Sequence, residues 1–423
     1  MLILLGAGFL LLPECHAQGQ TITFLDALFT STSAVCVTGL IVVDTATAWS
    51  RLGQTVILIL LQLGGIGIVS FGALFALLLG QRISFRQRAL LKEQYGESSV
   101  VNILHIVPVV AGTTLTVEAL GAICLYPSFV PKYGSSEGAY HAVFHAVSAF
   151  CNAGFSTFSN SLEQYQSNLE VNAVVAGLIV VGGLGFPVIT ELLEHRGRRC
   201  RLSLHTRVVL WSSGVLILLG ALLFFLVENG LDAGFRELPV HTRVYASFFQ
   251  SIAARTAGFN TVRTGALAPA SLLILMTLMF IGGSPSGTAG GIKTTTFVAS
   301  LAAVRSVLLG RQDVRLLDRR LERNNVRRAL VLVCLAMATL VFAQFLLLLT
   351  GGGEFLKLAF ETVSAFGTVG LSTGITPELT SGQRIVIILV MLVGRLGPMA
   401  FGLALARPRV EMVKYPETDL LTG

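Results

Sequence analysis

The sequence predicts an all-α membrane protein made of four in-chain membrane–pore-loop–membrane repeats around one central pore, with eight membrane spans. Three observations predict it. The composition is apolar, basic clusters follow alternate apolar runs, and one twelve-residue pattern recurs four times in a single register.

Of 423 residues, 53% are hydrophobic and only 13% charged, with a mean hydropathy of +0.76. A soluble chain of this length needs far more charged surface. Apolar runs read as spans at 2–12, 53–79, 100–126, 171–193, 208–227, 271–309 (interrupted), 330–350 and 385–406. A crossing helix needs roughly 20 apolar residues, which most of these supply. The first is shorter. Without a basic leader it does not read as a signal-peptide core, and it is taken as a span missing its start.

The net charge of +7 is unevenly placed. Arg82, Arg86, Arg88 and Lys92 form one cluster, Arg196, Arg198, Arg199, Arg201 and Arg207 a second, the run 305–328 a third, and Arg407, Arg409 and Lys414 close the chain. The opposite loops carry scattered cations such as Arg51, Lys132 and Arg236. The positive-inside rule puts the clusters and both termini in the cytoplasm of a multi-pass cell-membrane protein. Each cluster abuts a span, so topology accounts for it and no nucleic-acid partner is implied. The six cysteines, among them the scattered Cys124, Cys200 and Cys334, contain no CxxC pair and read as structural thiols. No HExxH, GxSxG or Walker pattern signals an enzyme.

The recurring segments are FTSTSAVCVTGL (29–40), FHAVSAFCNAGF (144–155), FFQSIAARTAGF (248–259) and FETVSAFGTVGL (360–371). Phe29, Phe144, Phe248 and Phe360 each precede Gly39, Gly154, Gly258 and Gly370 by ten residues, and Ala34, Ala149, Ala253 and Ala365 precede them by five. Ser33, Ser148 and Ser364 stand before the alanine; Ile252 is the exception. A second motif follows: GGIG from Gly64, GGLG from Gly182, GGSP from Gly282 and GRLG from Gly394. It lies about 16 Å into each following span, near the bilayer midplane. The chain divides into units at 1–95, 96–203, 204–322 and 323–406, with a tail at 407–423.

Each repeated segment is too short to cross, and its glycine end must turn, leaving carbonyls without helical partners. At membrane depth such backbone survives only where it is buried in protein or lines a wet path. Four such ends around an axis make a carbonyl ring suited to a dehydrated monovalent cation, and glycine permits the backbone angles required. Small-residue helix contacts do not explain a register held four times.

These residues resemble the Trk/Ktr/HKT superfamily of potassium transporters over essentially the whole chain. The tail segment YPETDLLTG (Tyr415–Gly423) and the eight spans look most like the Ktr-type membrane subunit. The resemblance implies a potassium filter at Val37, Thr38, Gly39, Asn152, Ala153, Gly154, Thr256, Ala257, Gly258, Thr368, Val369 and Gly370, with K+ held by backbone carbonyls. In some plant members serine at the first glycine favours sodium, so Gly39 argues for potassium. The resemblance also implies a homodimer and a cytosolic RCK-type ring that carries the nucleotide (ATP/ADP or NAD), with no cofactor in this chain. Sodium activation and sodium co-transport both stay open.

Two gate elements are expected. Gly282, Gly283, Ser284, Pro285, Ser286, Gly287, Thr288, Ala289, Gly290 and Gly291 cannot form a regular helix. The family equivalent is an intramembrane loop under the filter, closed here by Lys293. Arg395 replaces the glycine found at Gly65, Gly183 and Gly283, and a midplane charge costs roughly 2.5–3.5 kcal/mol on insertion scales. It is expected to face the cavity and contact the loop. Arg255 is expected to brace the third filter segment. Cys36 and Cys151 share its register behind the filter, and Asn152 could tune ion binding. His141 and His145, one turn apart, lack a third metal ligand. The leading function is gated, channel-like potassium uptake; the alternative is an alternating-access secondary cation transporter (potassium or sodium symport), whose repeats are often inverted.

Overall fold

The computed structural model describes residues 1–67, 103–194 and 202–397. The basic clusters at 82–92 and 196–201 and the tail at 407–423 lie outside the described residues, as do the ends of the apolar runs 53–79 and 385–406.

The described chain is predominantly helical. Its one small sheet is the hairpin Arg315–Leu316 with Arg319–Arg320. Helices begin where the sequence offers an oxygen to the free N–H groups of the first turn. Thr23, Ser50, Asn168, Ser203 and Thr380 each accept from the N–H three residues on. Thr23 and Thr380 complete reciprocal caps with Asp26 and Gln383.

Four short helices carry the repeated segments: Phe24–Val35, the part of Ile103–Phe150 beyond a turn at Gly134, Val240–Ala253 and Phe355–Gly367. Each is followed by an extended stretch and then by a helix that ends in the second motif, Arg51–Ile66, Leu169–Leu184 and Ser381–Leu396, or, in the third copy, just before it, Pro269–Phe280. Three described helices, Pro108–Phe150, Leu204–Leu231 and Arg323–Gly351, are long and apolar enough to cross a membrane.

The apolar run 171–193 is not the continuous span expected. Leu169–Leu184 and Phe186–Glu194 meet at 97°. Arg51–Ile66 and Ser381–Leu396 stop at Gly67 and Gly397, and Gly185 stands at the bend. These three glycines share φ between 87° and 91°, a conformation closed to most side chains. Apolar composition runs through the break, so hydropathy reads one span where the backbone turns. The second helix of the repeat pattern also extends past residue 126, to the turn at Gly134 (φ 81°).

The segments pack at backbone distance. A Cβ on Gly64, Gly182 or Gly394 would lie 2.2, 2.0 or 2.0 Å from the carbonyl oxygen of Val35, Phe150 or Phe366. The first glycine of the motif is thus the space into which the end of the short helix fits. Phe29, Phe144 and Phe360 are fully buried. The third copy departs: Phe248 is 41% exposed, and the neighbouring Phe249 takes the core position.

Candidate functional site

The four glycines of the repeated segment meet one another in cyclic order. A Cβ on Gly39 would lie 2.3 Å from the Ala153 oxygen and 3.1 Å from the Gly154 Cα. One on Gly154 would meet the Ala257 oxygen at 2.8 Å; one on Gly258, the Val369 oxygen at 2.4 Å; one on Gly370, the Thr38 oxygen at 2.1 Å. The ring closes on itself. All four glycines line the floor of a vestibule of about 560 Å³, whose walls include Asp44, Asn160, Glu163, Ser372 and Thr373.

The backbone repeats the pattern. Val37, Asn152, Thr256 and Thr368, two residues before the glycines, are left-handed, with φ between 49° and 73°, and the glycines have φ between 69° and 95°. Left-handed Val and Thr are costly, so the surroundings must impose them. The anchor is visible. Thr38, Ala153 and Val369 donate their N–H at 2.8 Å to the carbonyls of Ser33, Ser148 and Ser364. The Ser33 and Ser364 hydroxyls accept from the N–H of Gly39 and Gly370 at 3.0 and 3.1 Å, while Ser148 donates to the Phe155 carbonyl at 2.7 Å. In the third copy Ile252 has no hydroxyl, and Ala257 and Gly258 bond the Ala253 carbonyl instead. The register serine is therefore a backbone clamp.

The Asn152 amide lies 3.4 Å from Thr256 Oγ1; with oxygen and nitrogen exchanged it donates to the carbonyls of Ala149 and Ile179. Arg255 is buried and reaches Ser213 of the helix Leu204–Leu231 through its hydroxyl at 3.2 Å and carbonyl at 3.5 Å. Cys151, in the same register, contacts Gln62 at 3.3 Å and Glu118 at 3.8 Å. Cys36 is buried as well. His141 Nδ1 lies 2.7 Å from Thr157 Oγ1, and His145 Nε2 lies 2.9 Å from Ser156 Oγ. Among the described residues no group of three or more His, Cys, Asp or Glu could hold a metal.

On the face of the ring away from the vestibule lies the irregular stretch 282–293. Its base is closed by pairing of Ile281 with Ile292. It is sewn to the second copy: Ser284 N–H donates to the Gly183 carbonyl at 3.0 Å, Thr288 N–H to Gly182 at 3.3 Å, and Phe186 N–H to Ser286 at 3.2 Å. Pro285 and Gly287 pack on Gly185, and Gly290 packs on Thr368 and Gly367. The stretch thus touches both the second copy and the fourth. Lys293 Nζ donates to the Ala289 carbonyl at 2.6 Å. Arg395 donates from its two terminal nitrogens to the Thr288 carbonyl in the stretch and to the Gly64 carbonyl of the first copy. Register located Arg395, but nothing in the sequence pointed to Gly64 as its second acceptor.

Residues 9–409 match the model of a family described as TrkH, cation transport protein. The chain is 39% identical to the Ktr system potassium uptake protein B of Vibrio alginolyticus, across all of this chain and 92% of that one. It is 36% identical to the protein of the same name from Bacillus subtilis, across all of this chain and 94% of that one. Its fold is similar to the crystal structure of the potassium transporter TrkH from Vibrio parahaemolyticus, with a TM-score of 0.71 over 91% of this chain and 79% of that one at 19% identity.

Proposed function

Because the chain belongs to the TrkH family of cation transport proteins, we propose that it takes up potassium across the cell membrane through a gated, channel-like pore. The observation that carries this reading is the closed ring of Gly39, Gly154, Gly258 and Gly370 at the vestibule floor. Carbonyls of Thr38, Ala153, Ala257 and Val369 crowd that ring and replace the hydration shell of a passing ion. Two relatives named for potassium uptake, each alignable over the whole chain, support potassium as that ion.

In this reading the chain is four membrane–pore-loop–membrane units with eight spans, both termini in the cytoplasm and the vestibule outside. The stretch 282–293 and Arg395 form the gate below the filter; the irregular, glycine-rich backbone of the stretch and its contacts with the second and fourth copies support this reading. Four units in cyclic order favour a pore over alternating access, for which repeats are often inverted. The chain acts as a homodimer controlled by a cytosolic RCK-type ring; the nucleotide sits on that ring. This part rests on the family resemblance.

Rubidium uptake into proteoliposomes, run with and without sodium, tests the function. Selective rubidium entry down its gradient is expected. Stimulation by sodium on the side of entry identifies activation, whereas rubidium-coupled sodium entry identifies symport. Entry of both ions without preference overturns the filter.

A further inference from the structure

The short helices of the second and fourth units carry a polar residue directly after the register phenylalanine: His145 and Glu361. Both are fully buried. Both reach the serine two residues beyond the filter glycine, Ser156 and Ser372 respectively. His145 Nε2 lies 2.9 Å from Ser156 Oγ. Its Nδ1 lies 2.8 Å from the His141 carbonyl, which can only accept, so Nδ1 carries the proton and Ser156 donates to Nε2. Glu361 Oε1 accepts from the Ser372 hydroxyl at 2.8 Å, the Thr373 N–H at 2.9 Å and the Thr373 hydroxyl at 3.1 Å; its Oε2 accepts from Thr376 at 2.7 Å. The serines behave alike in turn, accepting the N–H two residues on, from Phe158 at 3.0 Å and Gly374 at 2.9 Å.

The other two units lack this link. Their matching pairs are Thr30 with Ile41 and Phe249 with Asn260. Thr30 Oγ1 makes no hydrogen bond among the described residues, and Asn260 turns to Glu163 and Val262. In the cyclic order of the ring the second and fourth units stand opposite each other.

We propose that His145 and Glu361 are positioning residues for ion selection: two struts on opposite sides of the axis that fix where the filter backbone leaves the glycine ring. This rests on the filter reading above. Two unlike side chains, an imidazole and a carboxylate, do one job at one register position. Each spans from the short helix to the exit of the filter, so each sets the separation of the helix from the backbone that must not spread when a smaller ion enters. Selectivity in a carbonyl ring depends on that backbone holding its shape or its field. A sheet of helix contacts alone leaves the exit free to move, since loops without such ties open at low cost.

The test uses the full chain in proteoliposomes and compares rubidium with sodium entry for Ser156→Ala, Ser372→Ala, Glu361→Gln and the two serine-to-threonine variants. Ser372→Ala removes a bond to a carboxylate and should lower the rubidium preference about tenfold; Ser156→Ala removes a neutral bond and should lower it about fivefold. Glu361→Gln keeps the volume, loses acceptors, and should shift the ratio in the same direction, which decides the matter if an alanine variant does not fold. Threonine keeps the hydroxyl and should restore the preference. A wild-type ratio in the folded alanine and glutamine variants overturns the struts, even if total flux falls, because a purely structural tie changes yield or rate and not the ratio. A wild type without preference sinks the filter reading and this inference together.

Discussion

Asp26 and Arg384, 358 residues apart, form an ion pair at 2.7 Å that ties the first short helix to the last motif-bearing helix. The pair is mostly shielded, with side-chain exposures of 10% and 20%. Arg384 is also held by the carbonyls of Leu379 and Pro377, and Asp26 also caps its own helix through Thr23. Thus the seam between the first and fourth units carries a directed polar bond.

Asp26→Asn keeps the cap geometry and removes the charge. It should destabilise the folded protein by about 1.5–3 kcal/mol, the worth of a hydrogen bond to a charged group. Thermal unfolding of the purified protein in detergent measures this, and an unchanged melting temperature would show the pair to be idle.

Gly39→Ser should lower potassium preference over sodium. Gly39 has φ 88°, and its Cβ would lie 2.3 Å from the Ala153 carbonyl oxygen. A serine must displace that carbonyl or bend the backbone. The strain is roughly 1–3 kcal/mol, which corresponds to a change in ratio of about five- to 150-fold. Relative permeability is the readout, and identical ratios would remove the first segment from the filter.

Arg395→Ala should raise flux and leave ion preference alone. A guanidinium about 6 Å from the path repels a cation by on the order of 3 kcal/mol at an effective dielectric near 20. Its two hydrogen bonds also join the stretch 282–293 to the first unit. Arg395→Lys keeps the charge but has one nitrogen for two acceptors, so its flux should fall between wild type and alanine. Unchanged flux in Arg395→Ala would place the side chain outside the path.

Deleting 284–289 removes the bonds to Gly182 and Gly183 and the acceptor for Arg395 at Thr288. Flux should increase several-fold, in line with the loss of an obstacle held by a handful of bonds of about 1 kcal/mol each. Background flux in a folded, purified deletion variant would make the stretch structural.

The glycine register could be read from the sequence because close carbonyl contact at Gly39, Gly154, Gly258 and Gly370 admits no side chain. The left-handed Val37, Asn152, Thr256 and Thr368 could not, since tertiary contacts override their local preference. The bend at Gly185 and the helix ends at Gly67 and Gly397 were hidden by apolar sequence on both sides. The common role of His145 and Glu361 escaped notice because unlike side chains share one task; a pattern search looks for sameness. His141 and His145, for which the sequence offered no third metal ligand, each meet a hydroxyl just beyond the glycine ring. The partners of Arg395 and Asp26 come from the far end of the chain, beyond any local pattern.

The ring that begins with Gly39 and closes at Gly370 is encoded in one polypeptide. A single codon change therefore alters one quarter of it and spares three. Were the ring assembled from four identical subunits, the same change would strike every quarter at once, and most such changes would be lethal to the ring. Here each quarter can differ from the others by itself, as Ile252 differs from Ser33, Ser148 and Ser364, so the ring can be adjusted one quarter at a time.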